Sequence, residues 1–292
     1  MHILTFDTEE WFIEKTFKGG RIEKYRQYDD MLSWILDVLD EYHLKATFFC
    51  VGELAVQFPD VVRKIAEKGH EIGCHGNRHM WITKMTEKEF AEDTKVAVTS
   101  LSNLIGTPIH SYRAPAFSIN EKNAWAFEIL AENGIKHDCS VFPANRDFGG
   151  FPQFKSSVPS LIYKGNSVLK EFPICPASFG GKPLPFSGGG YFRLIPMILQ
   201  KHFIDKMDYV MFYFHINDLI NQKAKIMSRR EYEDYFKESG TIKNRLVRYV
   251  KGNIGKGDAK SKLKSLLRRY DFCNVEEAAN TINWKNQPKV HL

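Results

Sequence analysis

Three carboxylates, Asp7, Glu9 and Glu10, crowd into four positions directly behind the apolar run at 3–6, and Trp11 follows them. Acids accept protons and bind cations, and three so close repel one another unless positive charge is near. The segment HGNRH sets His75 and His79 four residues apart. On a helix that spacing puts both rings on one face. In a loop leaving a strand it can bring two imidazoles to one ion. A neutral imidazole is a natural zinc ligand, and one carboxylate completes a three-ligand set with positions left for water. With ten histidines in the chain, such a pair also arises by chance as two ordinary surface or core-edge residues. Three further groups stand alone: Arg113 in YRAPAF, Asp138 in IKHDCSV and His215 in DYVMFYFH. Taken singly, they read as a surface ion pair, a turn or cap, and a hydrogen-bonded core histidine.

Placement is what joins them. Asp7, His75, Arg113, Asp138 and His215 each stand at or just past the C-terminal end of a predicted strand. In a β/α barrel those ends converge on one face, where catalytic groups collect. The predicted strands cover 2–6, 46–52, 70–74, 110–112, 135–141 and 208–215. Between them lie amphipathic segments. Apolar periodicity predicts a helix over 30–42. Pro59 suits a first helical position and Gly69 a stop, Thr86 with Glu89 forms a capping box for a helix to about 104, and Asn120 caps 121–133 before Gly134. Alternating strand and helix argues an α/β fold with parallel strands. From 142 to 196 Pro and Gly are dense, which predicts elaborated loops with short hairpins. Residues 228–250 and 258–269 read as helical, and 271–282 as a short strand and helix.

The composition is that of a water-soluble globular protein, 43% hydrophobic and 26% charged over 292 residues. No apolar run is long enough for a transmembrane helix, and no signal peptide is visible, so the expected location is cytoplasmic. The five cysteines are widely spaced and form no CxxC, which reads as buried free thiols. Net charge is +6, and residues 243–269 carry ten Lys or Arg against one acid, Asp258. That block reads as a solvated helical surface, or as a contact for phosphates or an anionic membrane face. It has no aromatic platform or nucleic-acid motif, so no nucleic-acid partner is expected.

As a set, the motifs resemble the polysaccharide deacetylases of the NodB-homology type, carbohydrate esterase family 4. TFDTEEWF resembles the family's first motif, EIGC with HGNRH the second, YRAPAFSI the third, HDCSVFP the fourth and FYFHINDL the fifth. They fall in family order within 5–218. LPFSGGGYFRLIP and KLKSLLRRYDFCNVEEA further resemble a cytoplasmic subgroup associated with exopolysaccharide or surface-glycan synthesis. The resemblance implies a distorted (β/α)7 barrel, TIM-barrel-like, forming one catalytic domain over 1–292 with a basic helical extension at about 228–292. It implies hydrolysis of an N-acetyl group on a sugar, with a divalent metal, zinc foremost, held by His75, His79 and one carboxylate. Asp7 would be the general base and Arg113 would hold it ionised. The backbone N–H of Phe117 would face the oxyanion. His215 would protonate the leaving amine, and Asp138, paired with it, would raise its pKa. The substrate would be a lipid- or nucleotide-linked N-acetylated saccharide, and 243–269 a peripheral contact with an anionic membrane.

Three features depart from the family pattern. An adjacent Asp-Asp pair is replaced by Asp7-Thr8-Glu9-Glu10. Threonine cannot be an anionic ligand, so the ligand moves to Glu9 or Glu10. If the chain stays extended, alternation puts Glu9 on the face of Asp7 and Glu10 on the other, which favours Glu9. Tyr213 stands where a leucine commonly lines the acetyl pocket, and narrows it or adds a hydrogen bond. Some relatives hydrolyse cyclic amides without metal and carry a similar opening. A metal-independent amidohydrolase is therefore one alternative, and a non-catalytic carbohydrate-binding relative another. SGGGYFR, at 187–193, reads as a Gly-rich turn or as part of a sugar pocket in which Arg193 meets a substrate carboxylate or phosphate.

Overall fold

The computed structural model describes residues 1–145, 149–221, 225–236 and 238–292. Its strands are β1 (His2–Thr8), β2 (Thr47–Cys50), β3 (Glu71–Cys74), β4 (Ser111–Tyr112), β5 (His137–Asp138), β6 (Ser160–Lys164), β7 (Ser167–Glu171), β8 (Ala177–Phe179), β9 (Lys182–Leu184), β10 (Val210–His215) and β11 (Lys289–His291). Nine of them form one sheet in the order β10-β1-β2-β3-β4-β5-β7-β6-β11. The first seven in that order run parallel. They match the seven strands expected of a distorted (β/α)7 barrel. β6 turns back antiparallel on β7, and β11 lies parallel beside β6.

The sheet curls, and one side chain shows by how much. β4 and β10 are four strands apart, about 19 Å across a flat sheet at ~4.8 Å per strand. Yet Arg113, just past β4, donates to Thr5 of β1 and contacts Met211 Sδ of β10 at 3.0 Å. Only a barrel-like curvature brings those strands within reach of one arginine. The strands are apolar along nearly their whole length because both faces are covered. Phe6 of β1 stacks on Phe48 of β2, with ring centroids 4.9 Å apart, and tilts against Phe214 of β10 at 5.9 Å.

Most helices start and stop where local chemistry places them. Thr86 and Glu89 form a complete capping box for the helix Glu87–Ile105, which ends on a left-handed Gly106. Pro59 opens the helix Pro59–Glu67. The helix expected over 30–42 begins eight residues earlier, at Ile22, and ends at Glu41. In its first two turns only Tyr25 and Tyr28 pack inward among charged and polar residues, so the apolar periodicity there is weak. Asn120 caps a short 3-10 turn, Glu121–Asn123, and the helix proper is Ala126–Glu132. The region 142–196 contains the hairpins β6–β7 and β8–β9. Part of that loop expectation, at 146–148, lies outside the described residues. The extension folds into Arg229–Phe236, Ile242–Asn253, Ala259–Leu267 and Val275–Thr281. Near 271–282 Cys273 makes only an isolated bridge to Ile3, while β11 was not expected. No helix among the described residues is long and apolar enough to cross a membrane.

Phe6→Ala removes the ring that joins three strands. It is expected to cost about 3–5 kcal/mol, read as a lowered urea midpoint with an unchanged slope.

Candidate active site

Strand register assembles the site. Asp7 is aligned with His215 of β10 and with Phe49 of β2, so β1 sets Asp7 and His215 side by side. The His75 N–H donates to the Cys50 carbonyl at 2.9 Å, which carries the β2 and β3 ladder one residue past β3. The chain then turns through Gly76, at φ 70°, and His79, at φ 56°. Asp93 accepts the Asn77 N–H at 2.8 Å and anchors this loop.

Glu9 lies outside β1, at φ −134° and ψ −14°, where the chain swings into the helix Glu10–Phe17. The alternation argument therefore does not apply at this residue. The turn itself aims Glu9 at both histidines. Glu9 Oε2 is 3.6 Å from His75 Nε2 and in direct contact with His79 Nε2. The three ligand atoms lie within 4.8 Å of one another. Glu10 turns elsewhere. It accepts the Asn217 N–H at 2.8 Å, and burial raises its carboxyl to about 7, with His215 opposing and Glu9 adding to the rise.

The donor set fits a divalent cation. His75 Nδ1 lies 2.8 Å from the Arg113 carbonyl oxygen. A carbonyl only accepts, so Nδ1 carries a proton, which in the neutral ring leaves the Nε2 lone pair on the side of Glu9 for a cation. A lone pair set against a carboxylate oxygen is repulsive unless positive charge lies between them. Two imidazole nitrogens and one carboxylate oxygen suit zinc and similar borderline ions.

Arg113 is fully buried and donates to Asp7 Oδ1 at 2.8 Å. Its guanidinium also sits over the Phe49 ring, 4.3 Å from the centroid. Burial works against the Asp7 charge, but Arg113, His75 and His215 hold its carboxyl below the usual aspartate range.

His215 has a different partner from the one expected. Its Nδ1 lies 3.4 Å from Asp218 Oδ2, and its N–H donates to the same oxygen at 3.0 Å. Asp218 in turn is ion-paired with Arg193. Burial pulls the His215 imidazole down, and Asp218, Glu9 and Asp7 lift it well above the ordinary histidine value. Burial pushes Asp218 up, and His215 with Arg193 brings it down to about 2. Two expectations are thereby corrected. Asp138 does not pair with His215, and Arg193 is a buried partner of Asp218 rather than a group presented to substrate. The glycines of SGGGYFR make room for this arrangement. A Cβ at Gly189 would stand 1.8 Å from Asp218 Oδ2, and one at Gly188 2.1 Å from Cζ of Tyr213.

Asp138 belongs to a buried acid pair. Ser140 donates to it from Oγ at 2.6 Å and from its N–H at 3.1 Å, while the Val141 N–H donates to Glu171 at 3.1 Å. Burial raises both carboxyls. The neighbouring Asp138 charge and hydrogen bond lift Glu171 further, well above the usual range.

Around these groups lies a cavity of about 510 Å³, whose lining includes Asp7, Glu9, His75, His79, His215 and Asp218. Phe117 and Tyr213 form an apolar wall, edge to face with centroids 5.0 Å apart. The Phe117 N–H, expected to face the oxyanion, instead donates to the Ala114 carbonyl at 3.0 Å. Ala116 and Phe117 both hold positive φ, 56° and 52°. Gly150 supports this strained turn by donating to the Phe117 carbonyl at 2.8 Å. Sequence reasoning missed Asp218, although His215 and Asp218 form a reciprocal cap that the His-x-x-Asp spacing hints at. It also missed Tyr235, Phe236 and Arg248, which line the cavity from the extension. The Tyr235 ring lies parallel to His79 at 6.4 Å. No local signal announces these contacts, because they arise only when the extension packs back.

This is a barrel-face cavity with a cluster of one carboxylate and two imidazoles beside an Arg-paired aspartate and an Asp-paired histidine. Residues 3–136 match the family described as Polysaccharide deacetylase. Residues 139–280 match a family described as Domain of unknown function (DUF3473). The chain is 38% identical over 95 residues to a peptidoglycan-N-acetylglucosamine deacetylase of Bacillus cereus, covering 32% of this chain and 34% of that protein. It is 30% identical over 107 residues to a peptidoglycan deacetylase of Helicobacter pylori, covering 37% and 36%. The match thus spans about a third of either relative's length. In fold it is similar to a candidate polysaccharide deacetylase from Mycobacterium smegmatis, with TM-score 0.65, 18% identity, and coverage of 100% and 92%. It is also similar to a Puue allantoinase, with TM-score 0.56, 14% identity, and coverage of 96% and 88%.

Because Asp138 and Glu171 bind a proton more tightly folded than unfolded, their contribution to stability falls as pH rises from the unfolded value, near 4, through the folded one. Glu171→Gln keeps a hydrogen-bond donor without the ionisation. Its stability relative to wild type is expected to grow as pH rises above about 4 in urea titrations.

Proposed function

We propose that this chain is a metal-dependent hydrolase that removes an N-acetyl group from a sugar in a glycan or glycan precursor. The observation that carries the proposal is the convergence, in one cavity, of Glu9, His75 and His79 with two oppositely tuned groups. Asp7 is held anionic by Arg113, and His215 is held cationic by Asp218. Groups whose environments push their pKa values apart are suited to be base and acid at the same pH.

Glu9, His75 and His79 would hold the divalent ion, zinc foremost, which when bound polarises the acetyl carbonyl and acidifies water. Asp7 takes the proton of the attacking water. Arg113 keeps Asp7 aimed and ionised. Ala116 lines the cavity just before Phe117 and Ser118, whose N–H groups are engaged within the turn, so the Ala116 N–H is the donor assigned to the oxyanion. His215 delivers its proton to the departing nitrogen as the carbon–nitrogen bond breaks, which yields acetate and a free amine. Phe117 and Tyr213 wall the space for the acetyl methyl.

The finer reading is a role in exopolysaccharide or surface-glycan synthesis, acting in the cytoplasm on a lipid- or nucleotide-linked saccharide, with 243–269 near an anionic membrane. Its supports are the subgroup motifs, the unpaired state of all five cysteines, and the basic extension at the cavity wall. The continuous sheet, with strands from both halves, supports treating 1–292 as one catalytic unit.

Acetate release from N-acetylated saccharides tests the reading. Release is expected to stop with chelator and return with zinc. Asp7→Asn should lower kcat by about 10²–10⁴-fold with metal content unchanged. Asp218→Asn should lower kcat while KM stays near wild type. Amide hydrolysis that survives chelation would favour a metal-independent amidohydrolase. No release from any free, lipid- or nucleotide-linked acceptor would contradict the proposal.

A further inference from the structure

Apolar side chains are unevenly spread over the surface. More than half of the large exposed ones among the described residues fall within 191–199 and 242–254. On the helix Ile242–Asn253, Ile242, Leu246 and Val250 recur every four residues, 68%, 43% and 48% exposed, and Ile254 extends the stripe. Ile198, on the helix Met197–Ile204, is 78% exposed. The two segments are neighbours. Gly255 packs so closely on Arg193 that a Cβ there would lie 2.6 Å from its carbonyl oxygen, and Lys262 Nζ donates to the Arg193 carbonyl at 2.7 Å. Leu194, 53% exposed, lines the cavity, so the 191–199 part of this face lies at the cavity's edge, while Arg248 lines it from the side of its helix opposite the stripe.

We infer that this face is a docking surface for an anionic lipid bilayer, which brings the Leu194 edge of the cavity near the headgroup layer. The inference deepens the membrane contact proposed above and rests on it. Charge complementarity selects the occupant. Lys243 is exposed beside the stripe on a helix that carries no acid, and Lys201 lies on the neighbouring helix, while Arg245 turns to the Met227 carbonyl and Arg248 to the Phe236 ring. A second copy would bring the same positive charge to the same face. An anionic headgroup layer over hydrocarbon meets both the basic side chains and the apolar stripe, as for helices that lie in the membrane plane. The second half of the basic stretch is excluded from the contact, because Leu263, Leu266 and Leu267 of the helix Ala259–Leu267 are buried in the protein.

Cosedimentation of the full chain with vesicles tests this. The wild type should bind phosphatidylcholine vesicles that contain phosphatidylglycerol, bind pure phosphatidylcholine weakly, and release with salt. Leu246→Asp with Val250→Asp, and separately Lys201→Glu with Lys243→Glu, should each weaken binding by about tenfold or more. Circular dichroism and acetate release from a soluble saccharide should match wild type in both. Absence of wild-type binding, or unchanged binding in both double variants, would overturn the inference. So would light scattering that shows a wild-type dimer which Leu246→Asp with Val250→Asp splits, since a second copy would then own the face. Vesicle binding without any deacetylation would leave this inference standing and remove the catalytic one.

Discussion

Arg113 carries a full positive charge to a point inside the curled sheet where it has no access to water. A charge so placed persists only if it is paired and its donors are filled. Asp7, Thr5, the Cys139 carbonyl and the Phe49 face meet that demand from β1, the segment after β5, and β2. Removing either member of such a pair costs about 3–5 kcal/mol in comparable settings. The ion pair therefore ties barrel closure to the orientation of one carboxylate. The Arg113 backbone serves a second end, since its carbonyl fixes which nitrogen of His75 is protonated. A single residue thus couples the base to a ligand of the cation site.

The rest of the site obeys the same electrostatic logic. Several charges at the cavity are answered by opposite ones: Asp7 by Arg113, His215 by Asp218, and Asp218 by Arg193. Close packing enforces these partners, because glycine at 188 and 189 admits the Tyr213 ring and the Asp218 carboxylate. Asp138 sits on a neighbouring strand end but is engaged with Ser140 and Glu171. The acid partner of His215 comes from its own turn instead.

Much of this was legible before any coordinates, for identifiable reasons. Strands buried on both faces announce themselves as apolar runs, and polar residues just past them mark a reaction face. The capping box at Thr86 and the proline at 59 are local and were read directly. The Arg113 contact with Asp7, and the approach of Glu9 to both histidines, lie where the motifs led one to look. The failures are tertiary. Which carboxylate meets His215 depends on a three-residue turn. The fate of Glu171 depends on a hairpin, and the cavity wall depends on how the extension folds back. The first turns of the helix Ile22–Glu41 pack only Tyr25 and Tyr28 inward among charged residues, a weak periodicity for sequence reasoning to find.

The account stands on Glu9, His75 and His79 forming one cation site. Metal content of the purified full chain, loaded with zinc and then dialysed, tests it most directly. Wild type is predicted to retain one zinc per chain, and His75→Ala and Glu9→Ala to lose it while circular dichroism stays native. Stoichiometric zinc in a folded His75→Ala protein would contradict the account.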